Sequence, residues 1–249
     1  MEQILKNDEL AALRKIDTPT ICNAVELYEI RPRTEGYVDG RIQAAFPELP
    51  PIVGYATTAT FRAAAIPAGE DLYRTISKQV VEIVEIPEPR IVVFQDLDDP
   101  PAAATFGEVM CTIYQTFGCA GLITSGGGRD LPQVRSLGFP VFTGSTICSH
   151  GYCHLPDVNV PVRVGGLTIQ PGDLLHADCN GIAIIPHEIA GSLAGACEEF
   201  AAIEEDLLAD VRAGGTDLDS LRKARSEAAE KTRLLGIRLR AELNPPDAP

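Results

Sequence analysis

Between residues 90 and 142 short apolar runs alternate with amphipathic segments, and this alternation narrows the fold more than any other feature of the chain. Arg90-Ile91-Val92-Val93-Phe94 is too brief for a buried helix and predicts a strand. Phe106 to Phe117 places Val109, Ile113 and Phe117 on one helical stripe. Gly121-Leu122-Ile123-Thr124 reads as a strand, Leu131 to Leu137 as a short helix and Pro140-Val141-Phe142 as a strand. Parallel neighbours need a crossover, so this β-α-β-α-β grammar predicts a largely parallel sheet.

The flanks follow other rules. Residues 8–30 predict a helix in two pieces, broken at Asp17-Thr18-Pro19-Thr20, and residues 31–51 a long loop. Ile52 to Phe61 is a β-rich run, and Asp71 to Glu85 carries helical spacing through Leu72, Ile76, Val80 and Ile83. From Val160 the pattern becomes hairpins, with turns at Gly165-Gly166 and Pro171-Gly172-Asp173 and strands over Leu174–Asp178 and Ile182–Pro186. These hairpins are expected to extend the sheet. Leu193, Cys197, Phe200, Ile203, Leu207 and Val211 form one helical stripe, ended by Gly214-Gly215. A charged helix is expected from about Asp217 to Leu243, then a frayed Pro-rich tail from Asn244 to Pro249. With no linker or repeat in view, residues 1–249 read as one α/β domain, with a helical N-terminal segment (about 8–30) and a helical C-terminal extension (about 189–243).

A net charge of -14 without a Lys/Arg cluster argues against nucleic acid as partner. The polar N-terminus resembles no signal peptide, and no apolar run approaches a membrane span, so a cytoplasmic location without membrane contact is expected. Seven scattered cysteines without a CxxC pair predict reduced thiols.

Ser125-Gly126-Gly127-Gly128-Arg129-Asp130 is the expected centre of chemistry. A strand ending in glycines and entering a helix would aim backbone N–H groups at an anion, at the sheet edge where open α/β sheets bind ligands. Arg129 can grip a carboxylate bidentately, and Asp130 offers a hard oxygen to Mg²⁺ or Mn²⁺. The bland alternative, a tight turn with a surface Arg–Asp pair, is equally open at this level. Neither a P-loop nor a dinucleotide fingerprint fits these glycines.

Gly107-Glu108, Gly118 to Ile123, Gly126 to Asp130, Gly138 to Phe142, Pro161 to Gly166, Pro171 to Leu175 and Asp178 to Pro186, in this order, resemble the RraA-like family. The resemblance is continuous over roughly 104–190 and weaker over 17–60 and the C-terminal helix. It implies a swivelling-type β/β/α sandwich with a C-terminal helical extension, assembled as a homotrimer or homohexamer with sites between subunits. The family includes aldolases of 4-hydroxy-4-methyl-2-oxoglutarate, which also decarboxylate oxaloacetate, and non-enzymatic regulators that bind ribonuclease E. In the aldolases a glycine stands twenty residues before Arg-Asp-x-x-Glu/Asp. Here the residue at that spacing is Glu108, with Gly107 before it, and the final acidic position is Gln133. Carried over, Arg129 would bind the keto-acid carboxylate and enolate oxygen, Asp130 would ligate the metal and Glu108 would hold metal-bound water. Backbone N–H groups near Gly107, Val109 and Met110 would bind the substrate carboxylate. Glu204 or Glu205 of a neighbouring subunit would complete the outer metal shell. The implied reaction is retro-aldol cleavage or β-decarboxylation of a short carboxylated 2-keto acid to pyruvate through a metal-stabilised enolate, the hydroxyl proton leaving through water held by Glu108 or Gln133. No lysine occurs from 79 to 222, which argues against a Schiff-base aldolase in that span.

His150 and His154 are four apart, but Gly151 and Pro156 predict a loop. A substrate contact through His150, a metal pair, and plain surface all remain open there. His176 reads as a hydrogen-bonded histidine within the fold and Asp178 as a turn residue. Two functions stand side by side: a metal-dependent lyase, favoured by Glu108, Arg129 and Asp130, and a ring-shaped regulator of a partner such as a ribonuclease, to which Gln133 lends weight.

Overall fold

The computed structural model describes residues 4–67, 72–215 and 217–244. The chain begins with helices α1 (Asn7–Leu13) and α2 (Thr18–Leu27), followed by strands β1 (Gln43–Ala44) and β2 (Ile52–Phe61) and helix α3 (Leu72–Glu85). Next come β3 (Arg90–Asp96), β4 (Ala104–Phe106), α4 (Glu108–Thr116), β5 (Cys119–Thr124), β6 (Gly127–Gly128) and α5 (Leu131–Ser136). Strands β7 (Val141–Thr143), β8 (Ser145–Thr146), β9 (Val162–Val164), β10 (Leu167–Ile169), β11 (Leu174–Asp178) and β12 (Gly181–Ile185) precede α6 (Ala190–Gly214) and α7 (Leu218–Leu243). Asp71 and the tail beyond Asn244 lie outside the described residues. Backbone contacts group the chain into two compact units, residues 36–185 and residues 1–35 with 186–249.

In the first unit a seven-stranded sheet runs β1-β7-β5-β3-β2-β11-β12. Its centre is parallel, β2 with β3, β3 with β5 and β5 with β7, as the alternation predicts. β11 and β12 extend it antiparallel. The hairpin β9–β10, expected on this sheet, instead forms a two-stranded ladder of its own. Side-chain alternation splits the core in two. Val92 and Phe94 join Phe61, Phe106, Tyr114 and Phe139 on one face, while Ile91 and Val93 join Ile123, Phe142, Val164 and Leu175 on the other.

A second, three-stranded parallel sheet has the order β4-β6-β8. It corrects the expectation that the helix begins at Phe106 and that the glycines cap a helix. Phe106 is β-strand and 1% exposed, and α4 starts after Gly107. Gly127 and Gly128 are strand residues, paired with both neighbours. A Cβ on Gly128 would lie 2.1 Å from Phe106 Cζ, and one on Gly126 would lie 2.5 Å from both Asp96 Oδ2 and Thr105 Cγ2. The glycines therefore admit close packing of two sheets. The Gly126 N–H donates to Thr124 Oγ1 (3.0 Å), and the Arg129 N–H that follows the glycines donates to the Phe106 carbonyl (3.1 Å).

The helical unit contains α1, α2, α6 and α7. Asp17 caps α2, accepting the Thr20 N–H at 2.7 Å, with Pro19 in the first turn. Arg240 donates to the Leu27 carbonyl at the end of α2 (2.7 Å) and pairs with Glu29 (3.1 Å). Along α6 the expected stripe is buried at Leu193 and Cys197 and only half-buried at Phe200, Ile203, Leu207 and Val211. Asp217 caps α7, accepting the Ser220 N–H at 3.0 Å.

Candidate active site

A cavity of about 120 Å³ opens in the first unit between β4, α4 and the turn after β6. Gly107, Val109, Met110, Arg129, Asp130 and His150 all line it. Residues far apart in sequence thus meet because β6 runs beside β4, which sets the Arg129–Asp130 turn over the start of α4. Cys153 and the apolar residues Ile76, Ala104, Phe106 and Ile113 complete the wall, and sequence reasoning did not single out those four for the site. Apolar residues carry no chemical signature, so only their assembly around Arg129 reveals them.

Arg129 and Asp130 face each other, with Arg129 Nε 3.7 Å from Asp130 Oδ2 and each side chain little more than a third exposed. The Glu108 N–H donates to the same Asp130 oxygen at 3.1 Å, so the first turn of α4 holds the carboxylate where its partial positive charge favours an anion. Asp130 has φ +54° and ψ +35°, left-handed backbone that few non-glycine residues adopt and that concentrates at functional turns. Gly107 explains how the pair fits: a Cβ there would sit 2.6 Å from Asp130 Oδ2 and 3.1 Å from Arg129 Nε. Behind them burial pushes the Cys111 thiol up to about 12, with the Asp130 charge adding to the effect.

His150 is exposed, in the loop expected from the sequence. Its Nδ1 lies 2.8 Å from the Gly151 carbonyl, an acceptor, so Nδ1 donates in this contact. His154 Nδ1 bonds the Tyr152 carbonyl at 2.9 Å. His154 does not line the cavity, nor do the side chains of Glu108 and Gln133, both exposed at the starts of α4 and α5. Glu204 and Glu205 belong to α6 of the helical unit, where Glu204 lines a groove of about 500 Å³ between α6 and α7. That larger groove is also lined by Arg33, Arg225, Arg233 and Arg240. His176 is fully buried in β11, and Asp178 accepts the Asn180 N–H at 2.8 Å in the β11–β12 turn, both within the fold as expected.

One half-buried acid escaped the sequence reading. Asp96, at the end of β3, is pushed up to about 6, chiefly by burial, with the Asp98 N–H and Arg62 opposing and the Asp98 charge reinforcing the rise. Its Oδ2 is buried without a hydrogen-bond partner, against the backbone of Gly126.

Among the described residues no three His, Cys, Asp or Glu are placed to share an ion. The donors present, the Asp130 carboxylate with Glu108 beside it, suit a hard ion such as Mg²⁺ that keeps most of its ligands as water or substrate oxygen. They do not suit a tetrahedral zinc centre.

No described helix is long and apolar enough to cross a membrane, and none of the seven cysteines is in a disulfide. Residues 18–184 match the RraA-like family (Aldolase/RraA). A Halalkalibacterium halodurans protein provisionally named 4-hydroxy-4-methyl-2-oxoglutarate aldolase is 33% identical over 99 residues, 39% of this chain and 47% of that protein. An Ectopseudomonas mendocina protein of the same provisional name is 30% identical over 115 residues, 45% of this chain and 69% of that one. The similarity thus spans about half or less of the first relatives' length. An uncharacterised Pseudomonas syringae protein superposes with a TM-score of 0.71 at 21% identity, over 91% of this chain and 97% of its own. Streptomyces coelicolor RraAS2, described as an unusual member of the RNase ES inhibitor RraA protein family, does so at 0.64 and 24% identity, over 82% and 96%. The fold is the swivelling-type β/β/α sandwich with C-terminal helices. The chain belongs to the RraA-like family.

Proposed function

We propose that the protein is a lyase that cleaves a 2-oxo acid to release pyruvate. The observation that carries this reading is the convergence of Arg129, Asp130 and His150 on one otherwise apolar cavity. A regulatory scaffold needs no guanidinium and carboxylate held face to face at the mouth of a pocket. The provisional aldolase names of relatives point the same way.

In this reading Arg129 takes the carboxylate and 2-oxo oxygens of the substrate in bidentate contact, fixing the head group. Asp130, oriented by the Glu108 N–H, would hold Mg²⁺ or Mn²⁺, with the Glu108 side chain reaching bound water. Such an ion supplies Lewis-acid withdrawal of charge from the 2-oxo group. The Arg129 charge, in a partly water-excluded site, meets the negative charge that develops on the same oxygen. His150 Nε2 accepts the proton of a substrate hydroxyl. Gln133 takes no part. Glu204 or Glu205 of a neighbouring copy, in a ring of three or six chains, remains part of the proposal on the family resemblance.

A coupled assay for pyruvate from oxaloacetate, with Mg²⁺ and with chelator, tests this. We expect chelator-sensitive release, its loss in Asp130→Ala, and a fall in kcat of roughly 10²–10³-fold in Arg129→Gln, as for removal of one charge-stabilising donor. Turnover unchanged in Asp130→Ala would sink the proposal and favour the regulator.

A further inference from the structure

We infer that the open groove between α6 and α7 is an interaction surface for a second copy of this chain, whose own α6–α7 hairpin it fits. One apolar stripe runs along α6 from Leu193 to Val211, and its two halves are treated differently. Leu193, Ala196 and Cys197 are buried, and the Cys197 thiol donates to the Thr20 carbonyl of α2 at 3.8 Å. α2 ends at Leu27, and farther along α6 the side chains of Phe200, Ile203 and Leu207 are only half-buried and line the groove of about 500 Å³. α7 leaves it open, because it turns Ala228, Ala229, Thr232 and Gly236 towards it, residues too small to reach across. Leu208, 49% exposed, follows Leu207 on α6 beside this hollow.

Charge decides what completes the groove. α6 carries six acidic residues and one basic, whereas α7 carries seven basic and four acidic. The two helices neutralise part of this between them: Lys231 pairs with Asp206 at 2.7 Å and Arg238 with Glu199 at 2.5 Å. Among the described residues, Glu204 on the α6 wall and Arg225 on the α7 wall have no ion-pair partner. Arg233, also on the α7 wall, is held by the exposed Glu230 one turn before it, a weak pair at the surface. A uniformly acidic or basic partner would be attracted by one wall and repelled by the other. A second hairpin, laid with its α6 on α7 and its α7 on α6, matches both walls.

The two inter-helix ion pairs fix the register. They set position 206 level with 231 and 199 level with 238, so Leu208 stands level with Ala229 and Glu204 with Arg233. A two-fold axis parallel to the helices keeps these levels and exchanges the walls. Leu208 of the partner subunit then enters the hollow at Ala229, and Arg233 meets Glu204 of the partner subunit. Symmetry makes each contact twice. Glu204 is thereby committed to the hairpin contact, which leaves Glu205 for the outer metal shell proposed above.

Sedimentation of the full chain over a wide range of concentration tests this. An even number of chains is expected: two, or six if the three-membered ring proposed above also forms and the hairpins join two rings. Ala229→Trp fills the hollow from an exposed position and should halve the mass. Glu204→Arg and Arg233→Glu should each weaken the association about tenfold, because each reversal opposes like charges in two symmetric contacts, and the two together should restore it. Circular dichroism checks the fold of each variant. An odd number of chains for the natural protein overturns the inference. So does an even assembly that folded Ala229→Trp leaves whole, or a double reversal no tighter than the single ones. Should Ala229→Trp not fold, the charge series decides. The lyase reading is judged separately, by pyruvate release.

Discussion

Replacing Asp96 with Asn should remove a pH-dependent weakness in the fold. Burial raises this carboxyl from 3.8 to about 6, so the folded state binds its proton more tightly than the unfolded chain does. Between those two values folding takes up a proton, and stability therefore falls as pH rises from about 4 to about 6. Above the folded value the loss is complete and constant. A shift of about two units at about 1.36 kcal/mol each sets a ceiling near 3 kcal/mol. Asp96 is only partly buried, and solvent screening reduces this to roughly 1–2 kcal/mol. Asparagine keeps the shape but places an amide where Oδ2 has no partner, so it adds an unfavourable offset that does not vary with pH. The slope, not the offset, carries the information. Urea unfolding of both proteins at half-unit steps from pH 4 to 8 should show the variant gaining roughly 1–2 kcal/mol relative to the parent by pH 6.5, then a plateau. Titrations common to both cancel in the difference. A difference flat across pH 4–7 would show that Asp96 ionises normally and that its burial at the Gly126 backbone is without electrostatic consequence.

Gly128→Ala forces a methyl to within 2.1 Å of the buried Phe106 ring, and should cost at least about 1–3 kcal/mol by urea unfolding; a variant as stable as the parent would remove the close-packing explanation of the glycine run. Asp17→Ala removes the acceptor of the Thr20 N–H and should cost about 1 kcal/mol, while Asp17→Asn should retain most of that stability. The loss of pyruvate release in Asp130→Ala completes the set.

Much of the fold was legible because it rests on local chemistry. The 90–142 alternation located β3, α4, β5, α5 and β7 to within a few residues, although the stripe read for α4 was not its buried face: Val109 and Phe117 are exposed, and the helix buries Met110, Cys111 and Tyr114 instead. Gly214-Gly215 and Asp217 marked the break between α6 and α7, as helix ends require. Arg129 and Asp130 were visible as types able to hold an anion and a hard cation. The glycines beside them were misread as an anion cradle: a glycine that frees an amide and one that admits a phenylalanine ring are identical in sequence.

The chain's own residues set where helices and strands form and which groups bear charge, because those properties depend on a few neighbours at a time. Tertiary structure alone decided that Gly107 leaves room for the Asp130 carboxylate, and that the Glu108 amide reaches it across 22 positions of chain. It also decided that Ile76, Phe106 and Ile113 give the cavity an apolar far wall, and that Asp96 loses its water. Each of these depends on distance and exclusion of solvent between segments remote in sequence, which no local pattern records.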